Sequence, residues 1–388
     1  MTMTAHTPLQ FPFVSVSGTP YERGRQYGAA VPDRVARSAA LYARALDGMG
    51  AGAPMRAALI RDFAERIEAF GAHYLDEMRG IADGAAVPLD DVIMINARTE
   101  VVAKARRLTA AATASPAAAE PMEPEDGCTG AIILPGRSRN GRLLHGQNWD
   151  WRSECAETGI VLRIHSDDGP DILTFVEAGG LARSGLNGAG IAITANYLEC
   201  ERDFRTTGVP LALIRRKVLE QAHVAEAIRA VATTPKSCSN NIMISTAEGF
   251  AINFECAPDE AFPVLPEAEM IVHANHWISP EARAKLRDGG AVNMPDSFYR
   301  DWRVRRLLDA AGAALTLDDM KRAFFDDFGT PYAVCRPPRQ NFAGNLSATV
   351  AMVAMEPASG FMDVLPLPAV QRGFTRYDLS ADPVMLAA

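Results

Sequence analysis

Up to about residue 107 apolar residues recur at helical spacing, and from residue 128 onward they fall in strand-like runs, so the chain divides at a change of period. Thr19-Pro20-Tyr21-Glu22 reads as a capping box with proline at the first helical position. Pro54 to Met78 repeats Leu59, Phe63, Ile67, Phe70 and Tyr74 on a helical face, and a third helix is predicted over Leu89 to Val101. Residues 108 to 126, LTAAATASPAAAEPMEPED, carry almost nothing to bury and read as an exposed, mobile linker that ends at Gly127-Cys128.

Beyond Cys128 the runs AIIL, RLLHGQ, IVLRIH, DILTFV, IAITA, NNIMIS and FAINF are punctuated by the turn dipeptides Asn140-Gly141, Asp168-Gly169, Asn187-Gly188 and Glu248-Gly249. These are hairpin signals, and hairpins make antiparallel sheets. Helices are predicted at about 209–232, 298–312 and 317–328, with a last strand pair near 347–354 and 361–364. Two antiparallel sheets with helices grouped outside them fit this order better than alternating βαβ units.

At 388 residues, 48% of them hydrophobic, the chain can bury one large core or two smaller ones. A net charge of −8, with arginines scattered rather than clustered, argues against nucleic acid or an anionic membrane as partner and leaves a small molecule. No stretch approaches the roughly 20 apolar residues of a membrane span. Residues 1–18 lack the basic start and apolar run of a secretory signal, so the cytoplasm is the expected address. The six cysteines, at 128, 155, 200, 238, 256 and 335, form no C-x-x-C pair, so neither a disulfide framework nor a zinc knuckle is expected.

The candidate chemistry begins at EDGCTG, residues 125–130, where a thiol stands between the linker and the first strand. Cleavage of Gly127-Cys128 gives Cys128 an α-amine with a pKa of about 7.7 to 8.0, just below the roughly 8.5 of a thiol, so the amine can serve as base to its own nucleophile. Gly127 suits the scissile side because it has no Cβ to obstruct the attack. A buried, inert cysteine beside a turn fits the spacing equally well. If Asn140-Gly141 forms a two-residue turn, Asp150 lies opposite Ala131, three positions from Cys128 and on the order of 10 Å away, near enough to hold the new amine. Trp149 and Trp151 then face the other way, as core or rim aromatics.

Asn275, in MIVHANHWI at 270–278, is a candidate oxyanion donor at the end of an apolar strand, or a structural asparagine. His273 and His276 in that stretch are three apart, which on an extended strand sends their rings to opposite faces and argues against a shared metal. The glycine-rich GGLARSGLNGAG at 179–190 sits between two strands and reads as a hairpin turn rather than a phosphate loop. Cys335-Arg336 follows a helix and offers a guanidinium either to the site or to solvent.

At these residues the chain resembles the isopenicillin N acyltransferase family, the self-cleaving acyltransferase and hydrolase branch of the N-terminal-nucleophile superfamily. The resemblance runs through most of the chain, in DGCTG (126–130), HGQNWDW (145–151), EAGG (177–180), GLNGAGIAIT (185–194), TGVP (207–210), VHANH (272–276), PDSFYRDWRVRRLLD (295–309) and VCR (334–336). GTPYERGRQYG (18–28) and LDDVIMINARTE (89–100) are similar to the helical pro-segment that stays attached in that family after cleavage. The linker is longer than the approach expected of the family and leaves room for a second, ordinary proteolytic cut.

The resemblance implies an α+β fold of four layers, αββα, with antiparallel sheets. It further implies a helical pro-segment, 1–127, that remains as partner to a catalytic chain, 128–388, in one domain. Gly127-Cys128 is then the self-cleavage site, Cys128 the nucleophile, Asp150 the neighbour of its amine, Asn275 part of the oxyanion hole and Arg336 a residue beside the site. The resulting expectation is a cysteine amidohydrolase that cuts a small-molecule amide through a thioester acyl-enzyme, with no cofactor and no metal. Acyl transfer from an acyl-coenzyme A thioester to an amine is the alternative, and an uncleaved, non-catalytic binding protein the second alternative.

Overall fold

The computed structural model describes residues 10–113, 127–340, 346–368 and 372–386. A short strand, β1 (Phe13–Val16), leads into α1 (Pro20–Ala30), whose first turn closes as its sequence requires. Thr19 Oγ1 accepts from the Glu22 amide at 3.4 Å, and the Glu22 carboxylate accepts from the Thr19 amide at 3.0 Å. Then follow α2 (Pro32–Gly48), α3 (Ala53–Phe70), α4 (Ala72–Ala85), α5 (Leu89–Asn96) and α6 (Arg98–Thr113). The single helix predicted over 54–78 is two, parted at Gly71, and the one over 89–101 is parted at Ala97. The predicted linker also starts too early, because Leu108–Thr113 continues α6. Alanine favours helix by its own backbone preference, and a reading based on burial misses that. The rest of the linker lies outside the described residues.

Helices α1 and α4 cross with their backbones in contact. A Cβ on Gly24 or Gly28 falls 2.1 Å from the Glu77 carbonyl oxygen or 2.2 Å from that of Ile81. Reciprocally, a Cβ on Gly80 or Gly84 falls 2.1 Å from the carbonyl oxygen of Tyr21 or 2.3 Å from that of Arg25. Each helix thus presents two glycines one turn apart to the other, and that spacing sets how closely they pack.

Residues 127–385, joined by β1, build two sheets. The strands in order are β2 (Gly127–Ile133), β3 (Leu144–Arg152), β4 (Gly159–Ile164), β5 (Ile172–Glu177), β6 (Ser184–Asn187) and β7 (Ile191–Tyr197). After α7 (Leu211–Leu219) and α8 (Val224–Thr233) come β8 (Asn240–Thr246), β9 (Ala251–Cys256), β10 (Ala261–Val264) and β11 (Met270–His273). The chain then makes α9 (Pro280–Lys285), α10 (Gly290–Asn293), α11 (Asp296–Ala310) and α12 (Leu317–Phe324). It ends in β12 (Arg339–Gln340), β13 (Leu346–Glu356), β14 (Phe361–Pro366), β15 (Thr375–Asp378) and β16 (Val384–Met385).

The first sheet runs β1-β4-β5-β6-β7-β8-β9-β10 and the second β11-β2-β3-β13-β14-β15-β16, with β12 paired to β13. Every pairing is antiparallel except β1 with β4. One face of the first sheet packs on α7 and α8, with the N-terminal helices beyond; its other face meets the second sheet, whose far side carries α11 and α12. That is the α+β sandwich of four layers, αββα. A single cluster of buried side chains joins residues from before and after position 127, among them Tyr27, Tyr42, Val101, Cys128, Trp149 and Phe175.

Two local expectations fail, each for a geometric reason. The connection between β2 and β3 is not a two-residue turn, for it includes a 3-10 turn at Pro135–Arg137 and a bridge from Ser138 to Leu315. The register shifts accordingly: Asp150 lies opposite Gly127, not Ala131, and Trp149 lies opposite Cys128. The stretch 179–190 is not one hairpin turn, because β6 forms inside it between turns at Gly179 and Gly190, both at positive φ.

Candidate active site

Cys128, the second residue of β2, is fully buried and packs with Trp149 in the core between the sheets, while its neighbour Thr129 turns toward α11. Gly127 and Asp150 share the Thr129 side. A Cβ on Gly127 falls 3.0 Å from Arg336 Nη1 and 3.1 Å from Asp150 Oδ2, so a side chain before Cys128 fits only if those two groups give by a few tenths of an ångström. Asp150 is buried, its Oδ1 accepting from Thr349 Oγ1 at 2.6 Å and its Oδ2 lying 3.2 Å from Arg336 Nε. Burial raises its pKa, and the charges of Arg336 and Arg300 oppose that rise. Thr349 reaches Asp150 beside a bulge: the pairing of β13 with β3 shifts between Thr349 and Ala351. The same hydroxyl accepts from the Arg336 amide at 2.8 Å, which fixes where the guanidinium starts.

Arg336 also pairs with Asp296, at the first turn of α11, and Asp296 in turn accepts from Arg300 Nε at 2.8 Å. Burial pushes the Asp296 carboxyl up, but Arg300 and Arg336 outweigh it and hold the group at about 2. Arg300, fully buried, spreads its guanidinium over the backbone of the site. Its Nη1 donates to the Cys128 carbonyl oxygen at 2.7 Å and to Thr129 Oγ1 at 2.9 Å, and its Nη2 donates to Asn275 Oδ1 at 2.8 Å. Asn275 Oδ1 accepts as well from the Cys128 amide, at 3.0 Å. A third guanidinium approaches the thiol itself, Arg183 Nη2 lying 3.4 Å from Cys128 Sγ. Around the 127–128 bond three guanidiniums therefore face two carboxylates, one positive charge in excess.

Cys128, Asp150, Asn275 and Arg336, scattered over two hundred positions of sequence, thus converge on one peptide bond. Asn275 arrives with its oxygen, not its nitrogen, toward Cys128, because Nδ2 donates to the Tyr197 carbonyl at 2.9 Å. Sequence reasoning passed over Arg300, Asp296, Arg183 and Thr349. Asp296 and Arg300 stand four apart on one helix, a legible ion-pair spacing, but nothing in the spacing says what the pair faces. Arg183 was hidden in a stretch read only as a turn.

The expectation that His273 and His276 face apart is overturned: their rings lie 6.2 Å apart and 19° from parallel. The strand ends at His273, so alternation no longer governs His276. His273 Nε2 meets Glu255 Oε1 at 2.7 Å and His276 Nδ1 meets Ser297 Oγ at 2.8 Å. Among the described residues no cluster of three or more His, Cys, Asp or Glu is arranged to hold a metal, and no helix is long and apolar enough to cross a membrane.

Residues 137–364 match the family described as acyl-coenzyme A:6-aminopenicillanic acid acyl-transferase. Over 330 residues the chain is 28% identical to the acyl-coenzyme A:6-aminopenicillanic-acid-acyltransferase 40 kDa form of Emericella nidulans, covering 83% of this chain and 84% of that protein. Among solved structures it is similar to a variant of conjugated bile acid hydrolase from Clostridium perfringens, at 14% identity and a TM-score of 0.44, over 67% of this chain and 97% of that one. It is also similar to penicillin V acylase from Agrobacterium tumefaciens, at 12% identity and a TM-score of 0.40, over 65% of this chain and 86% of that one. With well over half of its length matched by the family pattern, the chain belongs to the acyl-coenzyme A:6-aminopenicillanic acid acyl-transferase family, and so to the enzymes that act on C–N bonds.

Proposed function

We propose that this enzyme cleaves its own Gly127-Cys128 bond and then uses Cys128, through a thioester acyl-enzyme, to hydrolyse a small-molecule amide. The observation that carries the reading is how Cys128 is held: its amide on Asn275 Oδ1, its carbonyl on Arg300, and before it a glycine whose Cβ position lies tight against the Arg336 and Asp150 side chains. An inert core cysteine needs none of this.

In maturation, Cys128 Sγ attacks the Gly127 carbonyl carbon. The C–N bond breaks, the nitrogen takes the proton the thiol has lost, and a thioester joins Gly127 to the sulfur. Water hydrolyses that thioester, leaving a Gly127 carboxylate and a Cys128 with free thiol and free α-amine. In turnover the amine accepts the thiol proton, the thiolate adds to the substrate carbonyl, and the ammonium returns a proton to the leaving nitrogen. Water, deprotonated by the amine, then releases the acid.

Asn275 Oδ1, which holds the scissile N–H, is suited to hold the amine that replaces it. Its Nδ2 can serve an oxyanion by leaving the Tyr197 carbonyl. Asp150 faces the amine from the side of the sheet away from the thiol, and the Arg336 guanidinium opposes the rise that burial imposes on its carboxyl. The amine partner in the second reading, acyl transfer, takes the place of water; the acyl-coenzyme A named in the family description favours it.

Intact-mass spectrometry of the wild type beside Cys128→Ala tests the proposal. Two fragments meeting at the 127–128 bond, in the wild type alone, are expected; a single full-length mass in both refutes self-cleavage and leaves the uncleaved binding protein. Consumption of acyl-coenzyme A that depends on an added amine, with no amide hydrolysis, replaces the hydrolase with the acyltransferase.

A further inference from the structure

We propose that Arg183 is a further catalytic residue, holding the Cys128 sulfur as thiolate, and that Arg98, on the segment before the cleavage point, positions it through the ring of Trp149. The inference rests on the reading of Cys128 as nucleophile and names the group that activates it.

Arg183 lies between β5 and β6 and is buried. Its Nη2 stands at hydrogen-bond distance from Cys128 Sγ, 3.4 Å, while its guanidinium carbon lies 4.2 Å from the centre of the Trp149 ring. A guanidinium has only donors to offer, so whatever it presents to sulfur favours the anion over the thiol. Its planar form allows one face to lie on an aromatic ring while an edge points a donor elsewhere, a combination lysine cannot reproduce. Trp149 pairs with Cys128 across the β2–β3 ladder, so the ring that carries the guanidinium is on the thiol's own side of the sheet.

That ring is held from the pre-cleavage segment. Arg98, the first residue of α6, lies 6.0 Å from Trp149, 5.4 Å from Trp151 and 5.8 Å from Tyr42, all to ring centres. Its Nε is 3.3 Å from Glu177 Oε2, a buried carboxylate that also accepts from Tyr42 OH at 2.7 Å; the Tyr42 oxygen in turn accepts from Trp151 Nε1 at 3.1 Å. Arg98 and Tyr42 precede residue 127, whereas Glu177, Trp149, Trp151 and Arg183 follow it. The two products of cleavage share one network that ends on the nucleophile. Further charged groups facing Cys128 among the described residues include Arg300 on its carbonyl, and Arg336, Asp150 and Asp296 around Gly127, and these stay fixed in the test below.

In the step itself the thiol proton passes to the Cys128 α-amine, and the sulfur keeps the electron pair opposite the Arg183 donor. The test is the pH dependence of Cys128 alkylation by iodoacetamide, followed by peptide mass in the full-length purified protein as it matures. In the wild type the alkylation midpoint is expected below the roughly 8.5 of a free thiol. Arg183→Gln raises it by about one unit, a loss of roughly tenfold in reactivity at neutral pH. Arg183→Lys moves it less, and Arg98→Met moves it in the same direction as Arg183→Gln. A merely structural arginine shifts thermal stability without moving this midpoint.

An unchanged midpoint in a folded Arg183→Gln overturns the proposal. So does a wild-type midpoint at or above 8.5, or a Cys128 that resists alkylation up to pH 10, and neither of these requires the variant to fold. Cleavage is read separately, from the intact mass of the same samples. An uncleaved wild type therefore refutes self-processing, while the midpoint still decides the role of Arg183.

Discussion

Replacing Gly80 by alanine sets two effects of opposite sign against each other, and the packing of α1 on α4 decides between them. In the interior of an exposed helix the change stabilises by about 1 kcal/mol, because alanine loses less backbone entropy on folding. Here the new Cβ falls 2.1 Å from the Tyr21 carbonyl oxygen and 2.8 Å from the Arg25 amide nitrogen, both backbone atoms that no rotamer change can move. A carbon and an oxygen in comfortable contact lie about 3.3 Å or more apart. The helices must therefore part by roughly an ångström, and a gap of that size forfeits a quarter to a half of each contact along the crossing. Overpacking of this kind costs about 1–3 kcal/mol, more where backbone meets backbone.

The net expectation is a loss of about 2 kcal/mol, read as a lower urea midpoint at unchanged slope. Gly48→Ala is the internal control. It lies at the end of α2 with nothing within 4 Å of its Cβ, so it is expected to be neutral or slightly stabilising. A Gly80→Ala protein as stable as wild type, or more so, refutes the claim that these glycines set the helix separation.

Three further outcomes follow from the site and its surroundings. Gly127→Ala pushes a methyl group against Arg336 and Asp150 and is expected to slow cleavage about tenfold without unfolding the chain, since parting such a pair by a few tenths of an ångström costs on the order of 1 kcal/mol; a time course of intact mass at the wild-type rate contradicts it. Asn275→Asp keeps an acceptor for the Cys128 amide whereas Asn275→Ala does not, so cleavage is expected to persist, slowed, in the first and vanish in the second; equal loss in both shows that the Oδ1 contact is not what matters. Burial pushes the Asp203 carboxyl up to about 7 despite its bonds from Ser239 and Cys200. A folded-state pKa raised above the unfolded value of about 3.9 means that this group's contribution is fullest below pH 4 and erodes as pH rises toward 7. Asp203→Asn should therefore gain on wild type in urea midpoint between pH 5 and pH 8, and a pH-independent difference rules the shift out.

Much of this protein was determined within short windows of its sequence. The capping box at Thr19 forms α1 because its partners are three residues apart, and the turn dipeptides after Cys128 separate strands that pair with their neighbours in the chain. Local physics sufficed there, and it made Cys128 a candidate nucleophile beside the alternative of an inert core cysteine. The motif blocks extended this to Asp150, Asn275 and Arg336, whose residue types and strand ends are visible without coordinates.

What only the tertiary structure decided is relational. Whether Asp150 sits opposite Gly127 or Ala131 depends on the length of a connection pinned to Leu315, far along the chain, and a one-residue slip exchanges the two faces of a strand. The orientation of the Asn275 amide follows from three partners, Arg300, Tyr197 and the Cys128 backbone, drawn from three elements. Arg183 became part of the site only when β6 formed inside a glycine-rich stretch and turned its guanidinium onto Trp149. Charge and hydrogen bonding act over a few ångströms of space, and sequence separation carries no information about that distance.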